Sequence, residues 1–179
     1  MARNVEIKAR VHDLEATTRL ALAIADRGPE HLLQEDTYFR VAKGRLKLRE
    51  FSESNAELIY YRRPDAPGPT ESRYDRVEIT EPRSLRGVLA EALGVVGVVK
   101  KARTVCWVGR TRIHLDRVED LGDFLELEVV LETDEPTEAS HKEAEELMGK
   151  LNIPSHSLLS GSYIDLLTNI WKRHSDCSE

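Results

Sequence analysis

The stretch of this chain that decides its fold reads Arg110-Thr111-Arg112-Ile113-His114-Leu115-Asp116, and a turn before Gly122 leads into Phe124-Leu125-Glu126-Leu127-Glu128. Polar and apolar residues alternate in both segments, which is the period of a β-strand with one buried and one polar face. Because successive side chains of a strand point to opposite faces, the first segment collects basic residues, a histidine and an aspartate on one face. The second segment places two glutamates together on one face. We therefore predict two neighbouring strands, each with a charged face and an apolar face.

The same alternation recurs along the chain. It predicts strands over residues 4–11, 31–41, 44–51, 56–63, 72–80, 95–107, 110–117 and 124–131. Helical patterns and capping residues predict helices over 13–26, started by Asp13 and ended by Gly28-Pro29, and over 82–93, 137–150 and 158–172. Strands joined largely by hairpins pair antiparallel, and eight of them can close into a barrel. We therefore predict an α+β fold: a closed eight-stranded antiparallel β-barrel with helices packed on its outside.

Length and composition restrict the class of protein. The 179 residues, 40% of them hydrophobic, fit one domain over 1–172 followed by a polar tail over 173–179. The formal net charge of −6 argues against a nucleic-acid partner. Cys106 and Cys177 lack the spacing of metal ligands, which is typical of reduced thiols in a cytoplasmic protein. Residues 1–10 do not form a signal peptide and no stretch is long enough to span a bilayer, so we expect no membrane partner.

Basic residues recur on the polar faces of several predicted strands. These are Arg45, Lys47 and Arg49 on one strand, Lys101 and Arg103 on another, and Arg110 and Arg112 on a third. For a single strand, a solvated outer face explains such a row. Several rows of like charge need a counter-charge or a ligand, and a closed barrel must turn one set of faces inward. If helices cover the apolar faces, the charged faces line the lumen.

A charged lumen of this kind suits a metal–polyphosphate ligand. Arginine and lysine bind phosphate oxygens, and arginine does so with two parallel hydrogen bonds. The carboxylates of Glu6, Glu126 and Glu128 are hard oxygen ligands for Mg²⁺ or Mn²⁺. Such a metal would bridge phosphate oxygens and neutralise the charge that develops on them. Because buried charges are costly without partners, we expect a hydrated lumen when it is empty.

Several motifs occur in an order that is found in a known family. They are Asn4-Val5-Glu6-Ile7-Lys8, Gln34–Phe39, Leu46–Glu50, Leu58–Arg63, Lys101-Ala102-Arg103, Arg110–Asp116, Leu121–Glu128 and Gly161–Leu167. With these motifs the chain resembles, from Asn4 to about Leu167, the CYTH superfamily of triphosphate tunnel metalloenzymes. That group includes class IV adenylate cyclases, thiamine triphosphatases and inorganic triphosphatases. The resemblance implies a tunnel barrel, a divalent metal and a substrate that contains a triphosphate.

The resemblance also implies roles for individual residues. Phosphate contacts are expected from Lys8, Lys47, Arg49, Arg63, Lys101, Arg103 and Arg112. For this role Arg63 is preferred to Arg62. Metal ligands are expected to be Glu6, Glu126, Glu128 and Asn4, the last standing where the family has a glutamate and offering a neutral oxygen. Catalytic roles are assigned to Lys8, Lys101, His114 and Tyr163.

Other readings of several positions stay open. His114 is equally explained as a hydrogen-bonded strand histidine or as a general base, and Tyr163 as a core residue of its helix. Arg45 and Arg110 are expected near a tunnel mouth, and Trp107 and Trp171 are expected to be packing residues.

Two reactions are compatible with such a site. In the first, water attacks a terminal phosphorus and phosphate leaves, with inorganic tripolyphosphate as the favoured substrate. In the second, the ribose 3′-oxygen of ATP attacks the α-phosphorus and pyrophosphate leaves. Thiamine triphosphate ranks third as a substrate, because its thiazolium ring needs an aromatic partner that is not evident here. A polyphosphate-binding module without turnover is the remaining alternative.

Overall fold

The chain forms a closed antiparallel barrel, as the alternation predicts. The computed structural model describes residues 1–176. Within them the strands are β1 (Ala2–Arg10), β2 (Arg27–Phe39), β3 (Arg45–Ser52), β4 (Asn55–Arg62), β5 (Thr70–Ile79), β6 (Val95–Val108), β7 (Thr111–Val118) and β8 (Gly122–Leu131). Their order around the barrel is β1-β5-β4-β3-β2-β6-β7-β8. The ring closes because β1 pairs with both β5 and β8.

Four helices accompany the strands in the described part of the chain. They are α1 (Leu14–Ile24), α2 (Pro82–Leu93), α3 (Glu138–Lys150) and α4 (Tyr163–Asp176), with a short 3-10 turn over Ser155–Ser157. Asp13 starts α1 by accepting a hydrogen bond from the backbone N–H of Ala16 at 2.8 Å. Between residues 1 and 176, no helix has both the length and the apolar character required to cross a membrane.

The two-residue period sorts side chains between the outside of the barrel and its lumen. The outward residues of β1, β7 and β8 are apolar and pack with α1 and α3 in one core cluster, which includes Ile7, Ile113, Leu127 and Leu147. Helix α2 covers β2 and β3 through a second cluster around Phe39 and Leu48. Burying apolar side chains on the outside of the barrel leaves the alternate, charged side chains facing inward.

Helix α4 packs against one end of the barrel. Its residues Tyr163, Ile164 and Leu167 contact side chains at the end of β2 and the start of β6 and β8, among them Phe124. The approach is close, because a Cβ atom at Gly97 would lie 2.7 Å from Ile164 and 2.8 Å from Trp171.

The first helix ends earlier than predicted. Gly28-Pro29 was expected to end a helix over 13–26, but α1 stops at Ile24 and Ala25 is already extended. The N–H of Asp26 donates to the Trp107 carbonyl at 2.9 Å, so strand pairing precedes the Gly-Pro pair. Gly28 is required within β2, because its φ is +99° and a Cβ there would lie 2.8 Å from the Val105 carbonyl. The predicted start of β2 at residue 31 was therefore four residues late.

The last helix begins later in the structure than the sequence predicts. The helix expected from residue 158 begins at Tyr163, after the turn over Ser155–Ser157. Of the predicted polar tail over 173–179, the first part continues α4 to Asp176. Residues 177–179, including Cys177, lie outside the described residues.

Candidate active site in the barrel lumen

The polar faces of the strands enclose a cavity of about 280 Å³. Its described basic lining residues are Lys8, Lys47, Arg49, Arg63, Arg76, Lys101, Arg103 and Arg112, and its acidic ones are Glu6, Glu30, Glu57, Glu126 and Glu128. The lining includes every residue for which the sequence predicts a role with phosphate, metal or catalysis, among them Asn4, His114 and Tyr163. A larger depression of about 660 Å³ beside α2 shares Gln34, Phe51 and Lys101 with the cavity but is lined mainly by surface residues. The buried charge is therefore concentrated in the lumen.

Asp36 on β2 organises three of the basic residues. It is fully buried, and its carboxylate accepts hydrogen bonds from Arg49 at 2.7 and 2.8 Å and from Lys47 at 2.9 Å. The Lys101 ammonium lies 3.6 Å from the same carboxylate. Burial alone would raise the pKa of Asp36, but Arg49, Lys47 and Lys101 outweigh burial and hold that pKa well below its usual range. An anion from β2 thus orders cations from β3 and β6.

Asp116 on β7 orders Arg103 in the same way that Asp36 orders its basic neighbours. It is fully buried and accepts hydrogen bonds from Arg103 at 2.6 and 2.5 Å and from the Tyr163 hydroxyl at 2.8 Å. Burial and the nearby Asp116 raise the pKa of Tyr163 well above its usual range, so the hydroxyl stays protonated and donates. The Arg103 guanidinium also reaches Glu126 at 2.5 Å. The first residue of α4 is therefore tied to the buried charges of the lumen.

His114, Glu126 and Glu128 form a compact cluster with ligand atoms within 4.8 Å of one another. The Nδ1 atom of His114 lies 3.7 Å from one oxygen of each glutamate, which is too far for a hydrogen bond. This nitrogen is buried and has no hydrogen-bond partner among the described residues. Two carboxylates and an imidazole nitrogen are donors that divalent first-row metals accept. The residues present therefore fit a divalent cation.

Both glutamates of this cluster are held as anions by neighbouring cations. Lys8 lies 2.9 Å from Glu126, and Arg112 lies 2.8 Å from Glu128. Burial would raise the pKa of each carboxyl, but Lys8 and its neighbours hold that of Glu126 well below the usual range. For Glu128, His114 and Arg112 outweigh burial and lower the pKa to about 2. Metal binding needs deprotonated ligands, and these carboxyls meet that requirement.

Glu6 and Asn4 occupy the wall beside this cluster. Glu6 pairs with Glu128 across β1 and β8, and its carboxylate is bound by the guanidinium of Arg63. Burial raises the pKa of Glu6, and Arg63 opposes that rise. Asn4 is 3% exposed, and its side-chain oxygen finds no hydrogen-bond partner within residues 1–176. A buried polar atom without a partner costs about 1–3 kcal/mol, so this oxygen is free to bind a ligand or water at a net gain.

Two buried lysines can change charge near neutral pH. Burial lowers the pKa of Lys47 to about 8, with Arg49 adding to the effect. Burial likewise lowers the pKa of Lys101 to about 7, with Arg103 adding to it. A bound anion stabilises the protonated form and raises such a pKa again. The charge of the lumen therefore depends on what it contains.

Several positions differ from the sequence prediction. Arg110 lies in the turn between β6 and β7 and does not line the cavity, because its side chain donates to Glu143 of α3 at 3.0 Å. Trp107, predicted to be a packing residue, lines the cavity and packs with the Arg27 guanidinium 4.1 Å from the centre of its ring. Arg45 lies at the α4 end of the barrel, where it binds Asp165 at 2.8 Å.

Asp36 is the residue that the sequence left without a role. It stands between Gln34 and Tyr38 on one strand face, and both neighbours line the cavity. That shared face was the available signal, because a lone carboxylate on an inward face next to basic strands must neutralise them.

A closed barrel whose lumen holds buried cations beside a carboxylate–imidazole cluster defines a class of tunnel proteins for polyanions and divalent metals. The chain belongs to the CYTH domain family, whose model matches residues 2–163. Membership supports an enzyme that acts on triphosphates and depends on a divalent metal.

Similar proteins span nearly the whole chain. Adenylate cyclase CyaB of Aeromonas hydrophila is 28% identical over 172 residues, which cover 89% of this chain and 85% of that protein. The PH1012 protein of Pyrococcus horikoshii OT3 has a TM-score of 0.81 at 26% identity, covering 91% of this chain and 98% of the other. HpAC1 from Hippeastrum, whose structure is described as revealing a dominant triphosphatase activity, has a TM-score of 0.65 at 21% identity, covering 93% and 95%. The likeness to HpAC1 concerns the fold alone.

Proposed function

We propose that this protein is a metal-dependent hydrolase of triphosphates, with inorganic tripolyphosphate as its substrate. The observation that carries the proposal is the enclosed lumen, where basic residues face the His114, Glu126 and Glu128 cluster across about 280 Å³. Pockets for organic ligands usually measure about 300–1,000 Å³. A lumen just below that range, lined by charge, suits an inorganic triphosphate better than a whole nucleotide.

Binding of a metal and a triphosphate would replace the ion pairs that the charged side chains of the lumen now make with each other. Without ligand, Glu126 is paired with Lys8 and Arg103, and Glu128 is paired with Arg112. Glu126 and Glu128, with Glu6 and Asn4 as further oxygen donors, would hold a divalent cation in place of these basic partners. The released arginines and lysine then bind phosphate oxygens, with arginine able to form paired hydrogen bonds. Metal and triphosphate consequently favour each other's binding.

The chemical step then needs mainly positioning and positive charge. A divalent cation bound at the glutamates would supply charge that neutralises the phosphate oxygens. Lys47, Arg49 and Arg63 hold the remaining oxygens in the lumen. Water attacks the terminal phosphorus; an oxygen–phosphorus bond forms while the bond to the bridging oxygen breaks, and diphosphate leaves with that electron pair. The proton of the water passes to an oxygen of the departing phosphate, while Lys101, which the bound anion keeps protonated, holds the phosphate oxygens in place.

An adenylate cyclase is the second candidate, supported by the Aeromonas relative of that name. Cyclisation requires a place for adenosine outside the phosphate clamp. Trp107 and Phe51 line the cavity near the strand ends away from α4, where an aromatic base could stack. Thiamine triphosphate is a third possible substrate for the same mouth, because an aromatic face attracts its cationic ring.

Product analysis with one purified sample separates these candidates. The protein is given tripolyphosphate, ATP and thiamine triphosphate in turn, each with Mg²⁺ and then with Mn²⁺. Fast orthophosphate release from tripolyphosphate, with no cyclic AMP from ATP, is the expected result. Cyclic AMP with pyrophosphate would replace the hydrolase by the cyclase. Tight binding of tripolyphosphate without any cleavage would make the protein a binding module.

A further inference from the structure

We propose that His114 is itself a metal ligand through Nδ1, together with Glu126 and Glu128, and that this nitrogen makes the site select Mn²⁺ over Mg²⁺. The proposal rests on the metal site of the proposed function and adds a ligand and a preference to it. His114 then takes neither of the roles predicted from sequence, a general base or a hydrogen-bonded strand residue.

Strand pairing brings the imidazole to the carboxylates. His114 is the direct partner of Glu126 across β7 and β8, and Arg112 is the direct partner of Glu128 one step along the same pair. All of these side chains face the lumen. The ring of His114 is 6% exposed, so it is held in place by its surroundings.

The two distances from Nδ1 of His114 fit ligands of one ion better than hydrogen bonds. Nδ1 of His114 lies 3.7 Å from Glu126 Oε2 and 3.7 Å from Glu128 Oε1. Donor atoms of a first-row metal lie about 2.0–2.2 Å from it, so two of them at 90–120° are roughly 2.8–3.8 Å apart. The nitrogen is buried and without a hydrogen-bond partner among the described residues, although two anionic acceptors stand nearby. A shared cation between the three side chains satisfies this otherwise unpaired nitrogen.

The donor set decides the choice of metal. Mg²⁺ demands hard oxygen ligands and near-octahedral geometry, and it gives up its water reluctantly. Transition metals accept imidazole nitrogen beside carboxylate, and Mn²⁺ also retains the preference for oxygen that two glutamates supply.

The test measures metal binding without turnover. Mn²⁺ alone is added to the intact protein, and pulsed electron paramagnetic resonance records whether a ¹⁴N nucleus couples to the metal. Wild-type protein labelled with ¹⁵N-histidine repeats the measurement. His114→Gln removes the nitrogen, and His31→Gln is the matched control because His31 is exposed and bonded to Thr104. Calorimetry gives the Mn²⁺ and Mg²⁺ affinities, and circular dichroism checks that each variant folds.

We expect ¹⁴N coupling in the wild type and in His31→Gln, and its replacement by ¹⁵N coupling after labelling. His114→Gln should lose the coupling and weaken Mn²⁺ binding by roughly 10–100-fold. Its Mg²⁺ affinity should change by less than about threefold. Mn²⁺ that binds to the wild type without nitrogen coupling overturns this proposal and leaves the metal site intact. If Mn²⁺ does not bind even with tripolyphosphate present, both this proposal and the metal-dependent hydrolase fail.

Discussion

Replacing Asp36 by asparagine removes one buried charge that serves three cations. The side chain keeps its shape, but Arg49 and Lys47 lose the anion to which they donate at 2.7–2.9 Å, and Lys101 loses its neighbour at 3.6 Å. Leaving buried charges without their partner costs about 3–5 kcal/mol. Domains of this size lose roughly 2–4 °C of melting temperature per kcal/mol, so we expect a decrease of about 6–20 °C.

The loss of stability in Asp36→Asn should depend on pH because Lys47 and Lys101 can lose their protons. Their pKa values, about 8 for Lys47 and about 7 for Lys101, already lie below the ordinary 10.5, and the loss of Asp36 lowers them further. At pH 6, below both wild-type pKa values, the folded variant must either keep the two lysines charged without their anion or release their protons at a cost in stability. At pH 9 both are neutral, and only Arg49 lacks its anion. The destabilisation should therefore be larger at pH 6 than at pH 9.

Urea unfolding at both pH values measures this difference. Asp65→Asn is the matched control, because Asp65 also accepts hydrogen bonds from an arginine but its side chain is 54% exposed. An exposed pair of this kind contributes less than about 1 kcal/mol. Tripolyphosphate should stabilise Asp36→Asn more than it stabilises the wild type, because its oxygens replace the missing carboxylate. A loss below about 1 kcal/mol at pH 6, or an equal loss at both pH values, would refute the reasoning.

Three further predictions concern the metal and the charge of the lumen. Glu126→Gln and Glu128→Gln should each remove most activity and weaken metal binding while circular dichroism still reports a folded barrel; full turnover in either variant would contradict the metal site. Asn4→Glu should tighten metal binding in calorimetry and destabilise the metal-free protein, since the new carboxylate joins Glu6 on one strand face; an unchanged metal affinity would place Asn4 outside the ligand set. Lys101 binds fewer protons folded than unfolded between pH 7 and 10.5, so the ligand-free protein should gain stability with rising pH while tripolyphosphate affinity falls. Lys101→Met should reduce both slopes and leave the part that Lys47 contributes, and parallel slopes in wild type and variant would exclude Lys101 as a source.

Much of the candidate site could be read from the order of the residues. Lys47 and Arg49, or Glu126 and Glu128, must share a strand face because side chains alternate with a period of two. Family motifs then supplied the expected phosphate and metal contacts, and the structure brings all of those side chains to one cavity. Their individual roles stay predictions until binding and turnover are measured.

Contacts between residues on different strands and helices could not be predicted from the local alternation. The contact of Asp36 with Lys47 and Arg49 follows from the β2–β3 register, and its approach to Lys101 follows from the β2–β6 register. Likewise, Tyr163 reaches Asp116 over 47 positions of sequence. The pairing register of two strands depends on the packing of many side chains at once. A shift of one residue in that register would turn every charged side chain of the strand to the other face.

The chain by itself determined the alternation, and with it the eight strands, the antiparallel pairing and the charged lumen, because these depend on local periodicity. It did not determine where α1 ends, since a Gly-Pro pair serves as well inside β2 as after a helix. Only the tertiary structure decided that Arg110 turns outward to α3, that Trp107 lines the cavity and that His114 faces two glutamates with an unpaired nitrogen. Those outcomes depend on packing and burial between distant segments, where the cost of an unpartnered charge selects one arrangement among many that the local pattern allows.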